Sequence, residues 1–326
     1  MQRKTAFPYG CTVWLLMSLM LAAPAWSAYP ERPVRMIVPQ AVGASTDNVA
    51  RIVATELARE LGQQVVVDNR PGGALQLGME LTARATRDGY TIGYAPIGSL
   101  AIGPHLVSKP LIDALRELAP VGQTITGHMM VLASPKSPFR TMREVIDYAK
   151  QNPGKLFNAS SSNGSPGHIG FELLKNMTGI QIVHVPYKGG GPMTVAVIGG
   201  QIDLGIGSTA LVTPFANDGR MRVLATTGDA RSVTLPNVPT LIEEGYKDVT
   251  AYAWWGIFAP ARTPPAIINK LHGEMVKVLN LPDVRRHLGE QLGMELMVST
   301  PAELQKWTAA ELTRWSKVIR DNNIKP

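Results

Sequence analysis

The sequence predicts an α/β fold of two parallel-rich sheets flanked by helices, and three observations carry that prediction. Short β-rich runs alternate with stretches of helical period, the pattern of parallel strands covered by their connecting helices. Two segments rich in Gly, Ser and Thr, QAVGASTD at 40–47 and NASSSNGSPGH at 158–168, each stand between an apolar run and a periodic segment, where a strand hands over to a helix. No repeat, low-complexity tract or long linker divides the chain, although its rhythm changes after residue 250. Two domains that share the chain by crossing between them fit this better than two domains in series.

In chain order, the apolar run 34–38 is the first strand, and Val49, Ile52, Val53 and Leu57 give 47–61 one apolar helical face. Strands are expected next at 65–67, 90–95, 118–121, 129–133, 156–159, 182–186, 204–207 and 222–226. Helices are expected at 75–84, 141–151, 168–177 and 193–198. The run AWWGIFAP at 253–260 reads as one buried strand, followed by helices at 264–280, 283–292 and 301–322. Pro264 and Pro301 begin two of these, the turn where a helix tolerates proline. In such sheets ligands bind beyond the carboxyl ends of the strands, where both Gly/Ser/Thr loops fall.

The N-terminus has the order of a cleavable secretory signal, residues 1–27. Arg3 and Lys4 precede an apolar stretch at 12–25, broken by Pro24 and too short to span a bilayer comfortably, and Ala25 and Ser27 are the small residues before the cut. A periplasmic location follows. The single cysteine, Cys11, lies before that stretch, so the processed chain has neither a disulfide nor a lipid anchor and must rest on its core. Loss of Arg3 and Lys4 leaves 30 basic residues against 25 acidic ones, a net +5. These basic residues are scattered along helix faces rather than interleaved with aromatics, so nucleic acid is not the expected partner; a small anion is.

Loop chemistry points the same way. A strand-to-helix junction offers unpaired N–H groups and the positive end of a helix dipole, which suits a carboxylate. The six histidines are widely spaced and no cysteine assists them, so neither a metal site nor a cofactor is expected. The Gly189–Pro192 run lacks the Lys-Ser/Thr of a phosphate loop and reads as a turn into a helix. NGSPG at 163–167 comes one residue short of a nucleophile elbow at Ser165, so a secreted serine hydrolase is the third reading, although the chain is not expected to be an enzyme. Trp254 and Trp255 either stack on a cyclic ligand or pack in the core.

A series of short runs resembles the solute-binding proteins of the tripartite tricarboxylate transporter family, often called Bug proteins. They are YPERPVRMIVP at 29–39, GASTDNVAR at 43–51, GQQVVVDNRPG at 62–72, DGYT at 88–91, NPGKL at 152–156, HVPYKG at 184–189, GGQID at 199–203, LPNVPT at 235–240 and WGIFAP at 255–260. Their order and spacing, not any single run, carry the resemblance. It implies a two-domain, type II (Venus-flytrap) periplasmic-binding-protein fold with two crossing segments at the hinge, domain 1 at 28–128 plus 254–326 and domain 2 at 129–253. It also implies a small carboxylate held in the interdomain cleft by Gly43, Thr46 and Asp47 on one side and Ser160, Ser161, Gly164 and Ser165 on the other, with Gln40 and Asp203 completing the expected set. The partners implied are membrane transporter subunits or, alternatively, a membrane sensor kinase, served by a monomer.

The chain departs from the family's pattern where glycines are usual: Ala44 and Ser45 in the first loop, Ala74 and Leu75 in the next glycine cluster, and Arg262 near the return strand. Each such loss restricts positive φ and adds a side chain where the ligand would approach the main chain. With Gln40 at the mouth, a shift toward a more polar ligand is expected. Asp47 either holds bridging waters or a ligand amino group, or caps the helix beside it. The serines of 160–165 either satisfy their own turn or bind, and six polar or glycine residues in a row exceed what a tight turn needs.

Overall fold

In the computed structural model, residues 29–247, 249 and 251–325 are described; the signal-peptide expectation lies outside them. The Val/Ile-rich strand β1 (Val34–Val38) leads through the first loop into α1 (Ser45–Leu61), which buries Val49, Val53 and Leu57 and ends at Gly62 in a left-handed C-cap, φ 66°. There follow β2 (Val65–Asn69), α2 (Leu77–Ala83) and β3 (Thr91–Pro96), with the three strands parallel in the order β2-β1-β3. A wide π turn at Gly98–Ile102 and a tight 3₁₀ turn at Gly103–His105, then α3 (Ala114–Glu117), lead into β4 (Leu118–Ala133).

The sequence reading splits β4 into two strands, at 118–121 and 129–133. It is one strand of 16 residues. Gly122, Thr124, Thr126 and Gly127 conceal its continuity, because they break the apolar run without breaking the ladder. Two register shifts absorb the irregularity, and the Thr124 and Thr126 hydroxyls donate to the carbonyls of Trp255 and Ala253.

The second lobe runs through α4 (Met142–Gln151), β5 (Phe157–Ser160), α5 (Pro166–Thr178), β6 (Val183–Pro186), α6 (Gly190–Ile198), β7 (Leu204–Ser208), α7 (Thr209–Asn217) and β8 (Arg222–Thr226). Its order is β6-β5-β7-β4-β8, with β6, β5 and β7 parallel. A capping box of Thr141 and Glu144 starts α4. The helix α7 goes unread in the sequence because Pro214 lies inside it. The chain then returns along β9 (Tyr252–Pro260), antiparallel to both β3 and β4, and finishes with α8 (Pro265–Asn280), α9 (Pro282–Arg285), β10 (Glu295–Leu296) and α10 (Pro301–Asp321). The helix expected at 283–292 divides, since α9 passes into a wider π turn at Arg286–Gln291.

Two α/β lobes therefore share one long strand. β4 pairs with β9 as far as His128↔Tyr252 and from Met129 onward pairs with β7 and β8, so the chain crosses between lobes on two neighbouring antiparallel strands. The tryptophans Trp254, Trp255 and Trp315 are fully buried, the first two on β9. β1 and β5 point their carboxyl ends at one another's lobe, and the two loops meet there.

Candidate functional site

The first loop is held by its own side chains. Asp47, in the first turn of α1, is 1% exposed, and its carboxylate accepts the Gly43 N–H at 2.8 Å, the Asn69 amide at 3.0 Å and the Arg51 guanidinium at 2.9 Å. Burial alone would raise its pKa. The hydrogen bonds from Arg51, Gly43 and Asn69 outweigh it and hold the carboxyl below the usual carboxylate range. Gln40 accepts the Thr46 N–H through Oε1 at 3.3 Å, and the Thr46 hydroxyl accepts the indole N–H of Trp255 at 2.8 Å. The N-cap of α1 is Ala44, which has no side chain able to cap; the N–H groups of Ser45 and Asp47 have no acceptor among the described residues. Asp47 thus braces the loop from inside, reaching back to Gly43.

The second loop is less satisfied. Ser165 is the N-cap of α5, accepting the His168 N–H at 3.2 Å and donating to the Ser162 carbonyl at 2.9 Å. Ser160 is fully buried; its hydroxyl donates to the Ser162 carbonyl and lies 2.7 Å from Nε2 of His184. Gly164, at φ 74°, donates its N–H to Nδ1 of His168. The rings of His168 and His184 stack 4.1 Å apart. Burial, then His184 and Lys175, push His168 down to about 3; burial, then Lys175, push His184 down to about 4. Both imidazoles are neutral near pH 7, and neither faces Ser165, whose two contacts are backbone groups. By contrast, the hydroxyl of Ser162 and the amide oxygen of Asn163 are buried with no hydrogen-bond partner.

Two cavities lie between the loops. The inner one is lined by Gln40, Thr46, Ser161, Ser165, Ser208 and Trp255, among others, and offers about 20 Å³, enough for a single water. The outer one, about 560 Å³, runs from Gln40, Leu75 and Ser161 past Asn163 and Tyr187 to Lys188 at the surface. Gln40, Leu75 and Ser161 line both cavities. Among the described residues no Asp or Glu lines either one, so no described side chain in the walls repels an anion. The lobes are in close contact around them. A Cβ at Gly98 would come within 2.9 Å of the Gly164 carbonyl, and one at Gly191 within 3.1 Å of the Gly43 carbonyl.

The structure brings Gln40, Thr46, Ser161 and Ser165 to the cavities. It sets Asp47 behind the first loop and turns Ser160 toward His184. Gly43 and Gly164 shape the contact between lobes. Asp203 lies elsewhere: it stands at the amino end of β7, where its carboxylate accepts the Phe157 N–H at 2.9 Å, whereas the cleft is at the carboxyl ends. The GGQID turn leads into the amino end of β7, the end of the strand away from the cleft, and so does not reach the site. Ser208 escapes sequence reading; it lines the inner cavity at the start of α7, with its hydroxyl buried and unpartnered. Trp255 is also a lining residue, while Trp254 packs in the core.

The glycine departures divide in two. Ala44 has φ −74° and Ser45 is helical, so neither position requires glycine. Ala74, Leu75 and Arg262 do take left-handed φ, at 50°, 69° and 65°, at roughly 1–2 kcal/mol each for a residue with a Cβ. The expected restriction of the first loop is therefore absent, and the strain lies in the neighbouring turn.

Comparison with known proteins agrees with this geometry. The Tripartite tricarboxylate transporter family receptor (TctC) matches residues 49–324. Protein BugT of Bordetella pertussis is 34% identical over 307 residues, covering 94% of each chain. The structure of periplasmic binding protein BugD superposes with a TM-score of 0.87 at 31% identity, over 91% of this chain and 99% of that one. An R. palustris protein solved with adipate gives 0.88 at 31% identity with the same coverage.

Proposed function

The chain belongs to the tripartite tricarboxylate transporter receptor family, and from that premise we propose that it is a periplasmic solute-binding protein that captures a small organic carboxylate between its lobes and hands it to the transporter's membrane subunits. The observation that carries the reading is the cleft itself. Two helix-starting loops and the start of α7 converge on walls that, among the described residues, contain no acid, and the hydroxyls of Ser162 and Ser208 and the amide oxygen of Asn163 have no partners among those residues. An adipate-bound relative of the same fold supports a carboxylate as the guest.

On this reading 28–128 with 254–326 is one jaw and 129–253 the other, and both come from one chain, so a monomer suffices. Gln40, Thr46, Ser161, Ser165 and Ser208 face the ligand. Asp47, Gly43, Gly164 and Ser160 keep the two loops in shape. The site binds and does no chemistry: the Ser165 hydroxyl is occupied as a helix cap, and Ser160, though beside His184, has no opening to a substrate. Ligand stabilises the closed state to the extent that it binds that state better.

The test is thermal denaturation of residues 28–326 with mono-, di- and tricarboxylates, amino acids and neutral sugars. A carboxylate at 100 times its Kd adds about 2.7 kcal/mol of stability. The Ser208→Ala protein should melt normally without ligand and show a smaller shift with it. A shift with sugars alone, or with nothing, overturns the proposal.

A further inference from the structure

Asn163–Gly164 is the only asparagine-glycine pair in the sequence, and it lies in the middle of the second loop. Such a pair is chemically distinctive, because a backbone nitrogen without a neighbouring Cβ stands beside a side-chain amide carbon it can attack. Here the nitrogen already has a base on it. The Gly164 N–H donates to Nδ1 of His168 at 3.3 Å, so this imidazole keeps its own proton on Nε2 and presents a lone pair to Gly164. The ring is 1% exposed and stacked on His184, and burial keeps it uncharged at neutral pH.

The amide, by contrast, is not tied down. Its oxygen is buried with no hydrogen-bond partner among the described residues, so no polar contact to that oxygen holds the side chain away from the Gly164 nitrogen. Water reaches it from two sides. Asn163 lines the outer cavity of about 560 Å³ and also a cavity of about 450 Å³ on the histidine side of the loop, where His168, His184 and Lys325 contribute. Gly164 itself stands at φ 74° against Gly103, where a Cβ would come within 3.2 Å of the backbone, so turn and packing both demand glycine after Asn163.

We infer that Asn163 is a site of self-catalysed deamidation with His168 as its general base, and that the product switches off capture by this loop. The Gly164 nitrogen attacks Cγ of Asn163 as its proton passes to Nδ1 of His168. The new C–N bond closes a succinimide, the Cγ–Nδ2 bond breaks, and the amine leaves as ammonia, carrying that proton. Water then adds to one ring carbonyl and opens the ring to aspartate or, with the main chain rerouted through the side chain, to isoaspartate. Either product places a carboxylate in walls that have none among the described residues. The consequence for capture rests on the carboxylate reading of the cleft, since that charge repels an anionic guest; the modification itself does not.

Incubation of ligand-free residues 28–326 at neutral pH tests this, with the Asn163 peptide followed by mass and isoaspartate content and the released ammonia measured. Asn163 should convert, while Asn158, which precedes Ala159 and lines neither cavity, should keep its amide. Asp88–Gly89 and Asp218–Gly219 reach the same ring by losing water, so the ammonia does not come from them. His168→Gln retains an acceptor for the Gly164 N–H but no base, and should slow conversion at least about tenfold in the folded chain while leaving the rate in urea unchanged. His184→Gln, which keeps the His168 contact, should stay within about threefold of the parent. An Asn163 that keeps its amide overturns the site. Equal slowing by both histidine variants, slowing in urea as well, or no slowing at all overturns the role of His168. Asn163→Asp, which reproduces one product, should melt as the parent does and bind a carboxylate at least about tenfold more weakly by calorimetric titration. Equal affinity overturns the switch, whereas a parent that binds no carboxylate removes the carboxylate reading and leaves the mass measurement to decide the modification.

Discussion

The loop after β1 and the loop after β5 occupy equivalent places in their lobes, yet they are built on opposite plans. In the first, Asp47, Gln40 and Thr46 all have protein partners, and what is left for a ligand is backbone: the N–H groups of Ser45 and Asp47. In the second, Ser162 and Asn163 have buried polar atoms with no partner. A rigid loop that offers main-chain donors can recognise any carboxylate, because it reads only charge and shape. The side chains of the opposing loop and the wall behind it can then differ between relatives and set the choice of ligand. On the proposed reading, a clamp of this kind would separate capture from selection.

The largest effect should come from untying the first loop. Asp47→Ala removes the carboxylate that anchors Gly43, Asn69 and Arg51, leaving three donors without their acceptor. Destabilisation of about 3 kcal/mol is expected, at the low end for a buried pair because Arg51 is half exposed. Ser162→Ala, in the other loop, should change stability by less than about 0.5 kcal/mol, because its hydroxyl bonds nothing, and yet weaken the ligand. Urea midpoints for the two variants measure this directly. Similar midpoints would mean that the two loops are not built differently.

The loops should also separate along the pH axis. His168 and His184 are held neutral well below their unfolded pKa near 6.5, so the unfolded chain takes up protons first as pH falls. The imidazoles' contribution to stability should be constant above about pH 6.5, decline from there to about pH 4, and level off near pH 3. Each proton bound only by the unfolded state costs about 1.4 kcal/mol per pH unit. Asp47 acts lower: its stabilisation is complete above the unfolded pKa of about 3.9 and disappears as pH drops through its depressed folded value. His168→Gln, which keeps an acceptor for the Gly164 N–H, should flatten the upper decline and leave the acid limb in place. An unchanged slope between pH 6.5 and 4 would show that these imidazoles do not control it.

Most of the architecture is legible in the sequence because periodicity and loop chemistry are local. The run 34–38, the helix face of Val49, Val53 and Leu57, and both Gly/Ser/Thr junctions fall where the structure has them. What is lost is what depends on partners far along the chain. The single strand β4 is visible only through its ladder with β9, more than a hundred residues away. Ser208 enters the cleft because α7 follows β7, and Pro214 disguises that helix. Asp203 sits in a recognisable run, yet which end of β7 it occupies relative to the cleft is a property of the assembled sheet. Asp47 was readable as a residue with a role; that its role is to brace follows from Asn69, 22 residues on.

Ala44 gives the smallest and sharpest comparison. Read in sequence, a residue with a side chain in a glycine-rich loop obstructs the ligand's approach to the main chain. In the structure Ala44 lines neither cavity; it is fully buried, and its methyl lies 3.3 Å from where a Cβ of Gly189 would be. It fills the seam between the lobes, opposite a glycine at φ 129° that leaves room for it. Ala44→Gly should leave the unliganded protein within about 0.5 kcal/mol, since glycine's better N-cap fit offsets its greater chain entropy. Closure loses one buried methyl, about 0.8 kcal/mol at most, so affinity for a bound carboxylate should fall by up to about fourfold. If Ala44 instead blocked the main chain, the same substitution would tighten binding. Titration of the variant separates the two by the sign of the change, because a methyl that stabilises the closed seam and a methyl that obstructs the ligand act on affinity in opposite directions.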